Sequence, residues 1–560
     1  MKIRRITLTV TMALGSLYGL GHGLRSGTET TGYIVEGHNG VSAAQAVRDV
    51  GGRVVLDLPI IHGVAAVLST AQVAALRKTA DIDLFVDAPV QTATITASSA
   101  TGSNVIDKYA YKMIGADKLA AQGFHGNGVT VAVLDSGLWD SSGAATGAAK
   151  VFNDLNGTNK MLDTYDPTAG EGISLPDAYG HGTHVTSIIG SPDTSIDGEP
   201  LGIAPMARLV FVRAFNASGN GTYSSVINGL NWIYSHKSQY NIRVANLSFG
   251  ARPQSFYWND PIDQAVMTLW QSGVVVVASA GNFGPNAQSI AVPGNTPYVI
   301  TVGAMTDNWT SNTPADDGVT SFSSAGPTYE GFVKPDVVAP GGHIVGIMDA
   351  GAMTLATGHP QYATASSSLF VMSGTSQAAA VTTGAVALML QANPWLTPDQ
   401  VKCRLLASTS SLVSSQGKAA YSIFQQGTGL INAYNAVYSQ AANCANRGLN
   451  IANDINMTAH YGGPAHQDQN TGAYYVLDNA GNRVGADGYL WNNGFTKNQG
   501  YLWNNGYLWN NGYLWNNGYL WNNGYLWNNG YLWNNGYLWN QSAVASQSST
   551  TTTESWNAQE

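Results

Sequence analysis

Short apolar runs alternate with helical patterns along the chain from about Val105 onward. The apolar runs lie at 129–135, 208–215, 274–282 and 298–304. They are almost continuously apolar, as expected for strands that are covered on both faces. The helical patterns between them lie at 181–189, 224–237 and 260–273. This alternation predicts an α/β domain with a mainly parallel sheet and helices on both faces, which we place at residues 105–445.

A different order of elements is predicted at residues 28–95. The patterns indicate a strand, a helix, two strands around a turn, a second helix and a last strand. They lie at 31–37, 42–52, 53–69, 70–79 and 81–88. The order β-α-β-β-α-β is that of a small ferredoxin-like unit. Small and polar residues at 92–104 then indicate an exposed linker that a protease can cut.

The C-terminal fifth of the chain lacks the alternating pattern. Residues 446–487 are polar and aperiodic, which predicts a linker, and residues 541–560 have the composition of a disordered tail. Between them, at 488–540, the hexad YLWNNG is repeated almost without variation. Each hexad alone buries too little to fold, so the repeat predicts either a tight meander or a stacked β-coil. Its rows of Tyr and Trp suit three roles: stacking on sugar rings, anchoring at a membrane interface, or packing on themselves.

The first 27 residues carry the pattern of an export signal. Lys2, Arg4 and Arg5 form a basic start, and a mostly apolar stretch at 6–20 is followed by small residues. No later stretch of the sequence is apolar enough to suggest a membrane span. We therefore expect a protein that is secreted or held at the cell surface.

Composition limits the partners and the metal chemistry. The 560 residues carry a formal net charge of −9, and no cluster of Lys and Arg lies beyond the N-terminus. Nucleic acid is therefore not an expected partner. Cys403 and Cys444 are the only two cysteines, which excludes a zinc site built on cysteine. Export permits a disulfide between them, but the sequence does not show whether they meet.

Four polar residues stand at the ends of predicted strands or the starts of predicted helices. Asp135 ends VAVLD, His181 opens HGTHV, Asn282 follows VVVASAG, and Ser376 lies in MSGTSQAAA. Such junctions gather at one edge of an open α/β sheet. A serine hydroxyl needs a base in contact, and a buried carboxylate orients that base. An amide such as that of Asn282 can stabilise the oxyanion. The set predicts a catalytic triad, Asp135, His181 and Ser376, with Asn282 as oxyanion donor.

These motifs, in the order Asp, His, Asn, Ser, resemble those of the subtilisin-like serine proteases, a likeness that covers roughly residues 105–440. The stretches GIAPMARL, NLSFG, FSSAGP and KPDVVAPG belong to the same likeness. The resemblance implies a serine endopeptidase that acts through an acyl-enzyme on Ser376 and needs no cofactor for its chemistry. Its substrates would be proteins or peptides. The chain departs from the family at Gln377 and Ala380, where Met and Pro are usual, and we expect activity to survive.

The resemblance also assigns roles to the surrounding segments. Residues 30–91 look like the family's inhibitory prodomain, which binds the active site and is cut away, here between about Gln91 and Val105. Two segments resemble the strands that enclose an extended substrate. They consist of Gly219, Asn220, Gly221, Ser248, Phe249 and Gly250. The additional residues at 351–370 are expected to line one side of the cleft.

Three further features bear on specificity, metals and the remaining alternatives. No acidic residue follows Asn282, so a preference for Arg or Lys before the cleaved bond is not expected, and a preference for large apolar residues is our hypothesis. The loop 191–199 is oxygen-rich, which suits a structural calcium ion and equally a solvated turn.

Two alternatives to a peptidase remain: a surface adhesin or glycan-binding protein whose protease fold is inert, and an esterase that uses the same triad. The intact triad argues against the first, and the paired peptide-binding strands argue against the second.

Overall fold

The computed structural model of the chain describes most residues between 30 and 484. The described residues are 30–92, 110–139, 151, 153–195, 198–310, 316–364, 366, 368–412, 420–477, 483–484 and 507–509. The predicted signal peptide, the linker after residue 92, most of the repeat region and the predicted tail lie outside them.

The N-terminal unit has the predicted order of elements. They are β1 (Thr30–Gly37), α1 (Ala43–Asp49), β2 (Arg53–Leu58), β3 (Gly63–Ser69), α2 (Thr70–Leu76) and β4 (Ile82–Val86), with a 3-10 turn at Pro59–Ile61. The strands form an antiparallel sheet in the order β2-β3-β1-β4. Ser42 and Ser69 cap the two helices, as serine does at helix starts. Val35, Val47 and Leu68 belong to a hydrophobic cluster within this unit.

The following elements continue the chain, and those after β5 build the larger domain. In chain order they are β5 (Pro89–Thr92), α3 (Ala110–Met113), α4 (Ala116–Ala120), β6 (Thr130–Asp135), β7 (Met161–Asp166), β8 (Gly170–Glu171), α5 (His181–Gly190), β9 (Arg208–Arg213), β10 (Asn220–Thr222), α6 (Tyr223–His236), β11 (Ile242–Leu247), β12 (Phe249–Gly250), α7 (Pro261–Gln271), β13 (Val275–Ser279), β14 (Ile300–Thr306), β15 (Gly318–Val319), β16 (Val337–Pro340), β17 (Ile344–Ile347), α8 (Thr354–Gly358), β18 (Leu369–Met372), α9 (Thr375–Ala392), α10 (Pro398–Ala407), α11 (Ile423–Gln426) and α12 (Ala433–Tyr438). A 3-10 turn at Pro360–Tyr362 precedes β18.

The central sheet is mainly parallel, as the alternating pattern predicts. Its order among the described strands is β15-β14-β13-β11-β6-β9-β7-β8, and β16 also pairs with β14. Only β15 and β8, each at one edge, run antiparallel to their neighbours. All residues of β6 and β13 are buried. This explains why the apolar residues of these strands are consecutive rather than at alternate positions.

Helices cover both faces of this sheet. A Cβ on Gly182 of α5 would lie 3.0 Å from the Phe211 ring, and a Cβ on Gly229 of α6 would lie 2.9 Å from Val212. Since Phe211 and Val212 are consecutive in β9, they point to opposite faces. α9 packs with α5, and α7 packs with α6. Among the described helices, none has the length and apolarity needed to cross a bilayer.

A second sheet joins the N-terminal unit to the large domain. β5 lies between β10 and β12 and is antiparallel to both. The N-terminal unit therefore leads directly, through β5, into a three-stranded sheet whose outer strands belong to the large domain.

The segment predicted as a linker at 446–487 instead packs against the large domain. Its elements are α13 (Ile451–Ile455), β19 (His460–Gly462), β20 (His466–Gln467), β21 (Tyr474–Leu477) and β22 (Arg483–Val484). The fully buried Asp454 accepts hydrogen bonds from the hydroxyls of Tyr257 at 3.0 Å and Tyr298 at 2.5 Å. Trp258 stacks on His460 at 4.8 Å. Polar side chains with specific partners hold this segment, so it shows no hydrophobic period.

Two contacts fix the C-terminal parts of the chain. Cys403 and Cys444 form a disulfide, which joins α10 to the segment after α12 and settles the question that the sequence left open. Within the repeat region, β23 (Tyr507–Trp509) pairs antiparallel with β19.

Candidate active site

Asp135 and His181 form a buried pair. Asp135 is the last residue of β6 and His181 is the first residue of α5, so both stand where the sequence analysis placed them. Nδ1 of His181 lies 2.7 Å from Oδ1 of Asp135, and neither side chain is exposed. Burial raises the pKa of the Asp135 carboxyl, and the neighbouring His181 and the Ser136 N–H act in the opposite direction. Nε2 of His181 is buried and has no hydrogen-bond partner within the described residues.

Ser376 lies in the first turn of α9, the helix that packs against α5. Its hydroxyl donates to the carbonyl oxygen of Ser248 at 3.1 Å, and the Ser248 hydroxyl donates back to the Ser376 carbonyl at 3.1 Å.

The first turns of α5 and α9 also meet at His184 and Gln377, where Nε2 of Gln377 lies 3.4 Å from Nδ1 of His184. His184 is buried, its Nε2 lies 3.1 Å from the Phe370 carbonyl, and burial lowers its pKa to about 3, so it is a packed, neutral residue.

The amide of Asn282 has a defined orientation. Its Oδ1 accepts hydrogen bonds from the backbone N–H of Thr375 at 3.1 Å and from the Thr375 hydroxyl at 2.9 Å. Because Oδ1 faces Thr375, the NH₂ group of the same amide points away from Thr375. Nδ2 is buried and has no partner in the part of the chain that the structure describes. Buried donors rarely stay unpaired in native structures. We therefore expect the Asn282 NH₂ group to donate a hydrogen bond to an oxygen of a bound molecule. Sequence reasoning missed Thr375, although it directly precedes Ser376.

A second buried carboxylate, Asp177, connects the ends of β6 and α5. Its Oδ1 accepts from the Ser136 hydroxyl at 2.9 Å and from Gly180 N at 2.8 Å. Its Oδ2 accepts from the N–H of Thr183 at 2.8 Å and from the hydroxyl at 2.7 Å. The Ser136 hydroxyl in turn accepts from Gly182 N at 3.0 Å. Asp177 therefore fixes the turn that presents His181. An acidic residue four positions before a helix start was the available signal.

The six residues assigned to substrate binding lie beside β5. Asn220 pairs with Gln91 and Gly221 with Val90 on one side, and Phe249 pairs with Thr92 and Gly250 with Gln91 on the other. Gly219 accepts a 3.2 Å hydrogen bond from Thr92 N, and Ser248 touches Ser376. The two segments thus enclose an extended segment of the chain itself, bound through main-chain hydrogen bonds.

The described part of the additional segment at 351–370 packs next to the turn before His181. Its apolar residues, among them Met353, form a separate hydrophobic cluster with Met348 and with Phe370 of β18. A Cβ on Gly180 would lie 3.0 Å from Sδ of Met348 and 3.1 Å from Sδ of Met353. This part of the segment therefore borders the site on the His181 side.

The described residues do not assemble a metal site. Among them, no three His, Cys, Asp or Glu side chains cluster closely enough to hold an ion. In the loop that the sequence analysis considered for calcium, Glu199 forms a 2.5 Å ion pair with Lys112.

Comparisons with known proteins agree with this architecture. The model of the subtilase family matches residues 126–430. The serine protease AprX of Bacillus subtilis (strain 168) is 37% identical over 327 residues, covering 56% of this chain and 67% of that protein. Subtilisin E of Bacillus subtilis (strain 168) is 32% identical over 438 residues, covering 76% of this chain and 95% of that protein.

A solved structure shows the same fold at lower identity. The crystal structure of fervidolysin from Fervidobacterium pennivorans, described as a keratinolytic enzyme related to subtilisin, matches with a TM-score of 0.55 and 23% identity. The match covers 74% of this chain and 62% of that chain. Together, these likenesses define the class of protein, a serine endopeptidase. Within that class, the chain belongs to the subtilase family.

Proposed function

We propose that this endopeptidase is made as an exported precursor that processes itself, with Asp135, His181 and Ser376 as its triad and Asn282 as an oxyanion donor. The observation that carries the proposal is the buried 2.7 Å contact between Asp135 and His181, next to the helix whose first turn contains Ser376. A buried carboxylate in contact with a histidine whose other nitrogen is unpaired is the arrangement that activates a serine.

The chemistry follows from the contacts. Asp135 accepts the Nδ1 proton of His181, so Nε2 of the neutral ring carries the lone pair that takes the Ser376 proton. Ser376 Oγ attacks the peptide carbonyl, and the imidazolium then passes its proton to the leaving amine. Water hydrolyses the acyl-enzyme by the same route. The Asn282 NH₂ and the Ser376 N–H stabilise the oxyanion, and each such donor contributes about 3–4 kcal/mol to the barrier reduction.

Residues 30–92 act in this proposal as the inhibitory prodomain. Besides β5, this unit binds the start of α6: Asp87 accepts hydrogen bonds from Ser224 N at 2.8 Å and from the Ser224 hydroxyl at 2.7 Å. The Ala88 carbonyl accepts from Tyr223 N at 3.0 Å. A carboxylate is favoured at the positive end of a helix, so these contacts hold β5 in the cleft.

The sheet face of the N-terminal unit carries one charged residue into this contact. Ile34 of β1 packs with the core of the large domain, and Glu36, two residues on, lies on the same face. Glu36 is fully buried, and neither of its carboxyl oxygens has a partner within the described residues. Burial raises its pKa well above the ordinary value, and Asp83 and Asp260 raise it further.

Export is supported by the basic and apolar start of the sequence and by the disulfide, which is typical of oxidising compartments. A peptide rather than an ester as substrate is supported by the strands on both sides of β5, since an ester offers no main-chain ladder. Glycan binding by the repeat stays a prediction.

Expression of the wild-type chain beside Ser376→Ala tests the proposal. We expect the wild type to release its N-terminal unit and to digest casein, and the variant to stay full length and inert. Loss of such a nucleophile lowers the rate on the order of a millionfold. A folded wild type that neither processes itself nor cleaves casein would contradict the proposal and would favour the adhesin alternative.

A further inference from the structure

A polar side chain lies within the apolar sheet, on the side of β11 that packs against α9. Asn246 is the next-to-last residue of β11, and its neighbours on the adjoining strands are Val133 and Val277. It is fully buried. Burying an amide costs free energy unless its oxygen and its NH₂ group both find partners. The partners of Asn246 therefore show what this amide holds in place.

The amide of Asn246 joins two hydroxyl groups. Its Oδ1 accepts a 2.9 Å hydrogen bond from the Thr383 hydroxyl, and its Nδ2 donates one of 2.8 Å to the Ser248 hydroxyl. The Ser248 hydroxyl in turn donates to the carbonyl oxygen of Ser376 at 3.1 Å. These three hydrogen bonds form a chain from Thr383 through Asn246 and Ser248 to Ser376.

The chain can run in one direction only. A backbone carbonyl accepts and never donates, so the Ser248 hydroxyl has to give its proton to Ser376. The hydroxyl oxygen then accepts from Asn246, which requires the NH₂ group of the amide to face Ser248. The amide oxygen is left to face Thr383, whose hydroxyl donates to it. Thr383 therefore holds the amide in the one orientation that lets Ser248 donate to Ser376.

Both ends of the chain lie on α9. Thr383 follows Ser376 by seven positions, which is two helical turns, so the two residues lie on the same side of the helix. They are about 10 Å apart along its axis. Ser248, Ser376 and Thr383 are fully buried, as is Asn246. The chain thus attaches the first and the third turn of α9 to the end of β11.

Ser248 holds the nucleophile at two points. Besides its hydroxyl, which donates to the Ser376 carbonyl, its own carbonyl accepts the Ser376 hydroxyl at 3.1 Å. The next two residues, Phe249 and Gly250, form β12, which pairs with β5. One residue therefore sets the distance between the nucleophile and the strand that binds an extended segment.

We propose that Thr383 and Asn246 are positioning residues, which fix Ser376 relative to the bound peptide by fixing the hydroxyl of Ser248. Without the Thr383 hydroxyl, the amide can turn over and present its oxygen to Ser248. The Ser248 hydroxyl then donates to Asn246 and releases the Ser376 carbonyl. The inference rests on the proposed function, since it takes Ser376 as the nucleophile.

Substitution of Thr383 in the full chain tests this. Thr383→Val, which is nearly isosteric, should lower kcat of the processed enzyme by about 10- to 100-fold and leave KM within about twofold of wild type, because small misplacements of reacting groups act on the rate. The substrate is a fluorogenic peptide built on a sequence that the wild type cleaves in casein. Thr383→Ala removes the same hydroxyl and should give the same result. Thr383→Ser, which restores the hydroxyl, should recover most of kcat.

Thr382→Val is the matched control. Thr382 is the neighbouring residue of α9 and is also fully buried, but its hydroxyl donates to the Ala378 carbonyl within the helix at 2.9 Å. It should keep the kcat and KM of the wild type. Thermal unfolding of each variant in the Ser376→Ala background, where no processing occurs, gives the stability separately from the activity.

Three results would overturn the role of Thr383. They are wild-type kcat in Thr383→Val and Thr383→Ala, a loss that appears in KM instead of kcat, and an equal loss of kcat in Thr382→Val. Failure of the proposed function is distinguishable from these, since it would appear as Ser376→Ala cleaving the peptide at the wild-type rate.

Discussion

The Ser136 hydroxyl donates a 2.9 Å hydrogen bond to Oδ1 of Asp177, and this contact ties the residue after Asp135 to the turn before His181. Asp177 holds that turn through four hydrogen bonds. The geometry of the Asp135–His181 pair therefore depends on a second carboxylate, whose described hydrogen bonds go to residues adjacent to the pair.

Asp177→Ala should lower kcat by on the order of 100-fold, since a displacement of about 1 Å costs that much in rate. KM for a peptide substrate should change little, because Asp177 has no described contact with β5. Steady-state kinetics measure the effects on kcat and KM separately. Asp177→Asn, which keeps one acceptor oxygen, should recover part of kcat. A rise in KM with unchanged kcat would show that Asp177 shapes the substrate cleft instead.

Asn282→Ala should lower kcat by about 100- to 1,000-fold, with KM nearly unchanged, because in the proposed mechanism the amide acts only on the developing oxyanion. Thr375→Val should give a smaller loss of the same kind, since Oδ1 of Asn282 loses its hydroxyl donor but keeps the backbone donor of residue 375. Both variants should unfold at the wild-type temperature within a few degrees. Equal kcat in Asn282→Ala and wild type would remove Asn282 from the mechanism.

From the burial of Glu36 we predict that, after the proposed cut, the N-terminal unit leaves the enzyme more readily as the pH rises. Its pKa is raised in the docked state, so the docked state has its full stability below the ordinary carboxyl pKa and loses it as the pH rises through the raised value. The groups that face it, Asp83 and Asp260, are acidic and oppose its ionisation.

We therefore expect latent enzyme to gain activity faster when it is incubated at pH 8 than at pH 5, with all samples assayed afterwards at one pH. Glu36→Gln, which mimics the neutral carboxyl, should stay latent longer and lose the dependence. Asp49→Asn, exposed on α1, is the control and should follow the wild type. The same pH dependence in Glu36→Gln and wild type would contradict this role.

We predict that the C-terminal segment stabilises the large domain through the buried hydrogen bonds of Asp454. Asp454→Leu removes the carboxylate that accepts from the buried hydroxyls of Tyr257 and Tyr298, and Tyr257 keeps only its longer 3.4 Å hydrogen bond to the Tyr461 carbonyl. An unpaired buried group costs about 1–3 kcal/mol. We expect the free energy of unfolding to fall by about 2–5 kcal/mol. Denaturant titration checks this, with the exposed Asn470→Ala expected within about 0.5 kcal/mol of wild type. Equal stability of Asp454→Leu and wild type would mean that the segment does not contribute.

The sequence predicted most of the strands and helices because they carry their own signals. β6 and β13 are short and mostly apolar up to their polar last residues, and α5 and α9 begin at glycine-rich junctions next to polar residues. The positions of Asp135 and His181 followed from these junctions, and the structure brings the two side chains into contact.

Other features depend on contacts between distant parts of the chain, which no local pattern records. Thr375 meets Asn282 across 93 positions, and Tyr257 meets Asp454 across 197. The segment after residue 446 reads as a linker because its buried groups are polar.

If the chain processes itself as proposed, the continuity between the N-terminal unit and β5 determines how inhibition of the enzyme scales with dilution. While the backbone is intact, β5 is tethered to the cleft, and its local concentration is set by the chain, typically in the millimolar range. Once the bond is cut, the same contacts have to hold two separate molecules, and occupancy of the cleft falls as the total concentration falls. Processing would therefore convert an inhibition that is independent of concentration into an inhibition that dilution relieves.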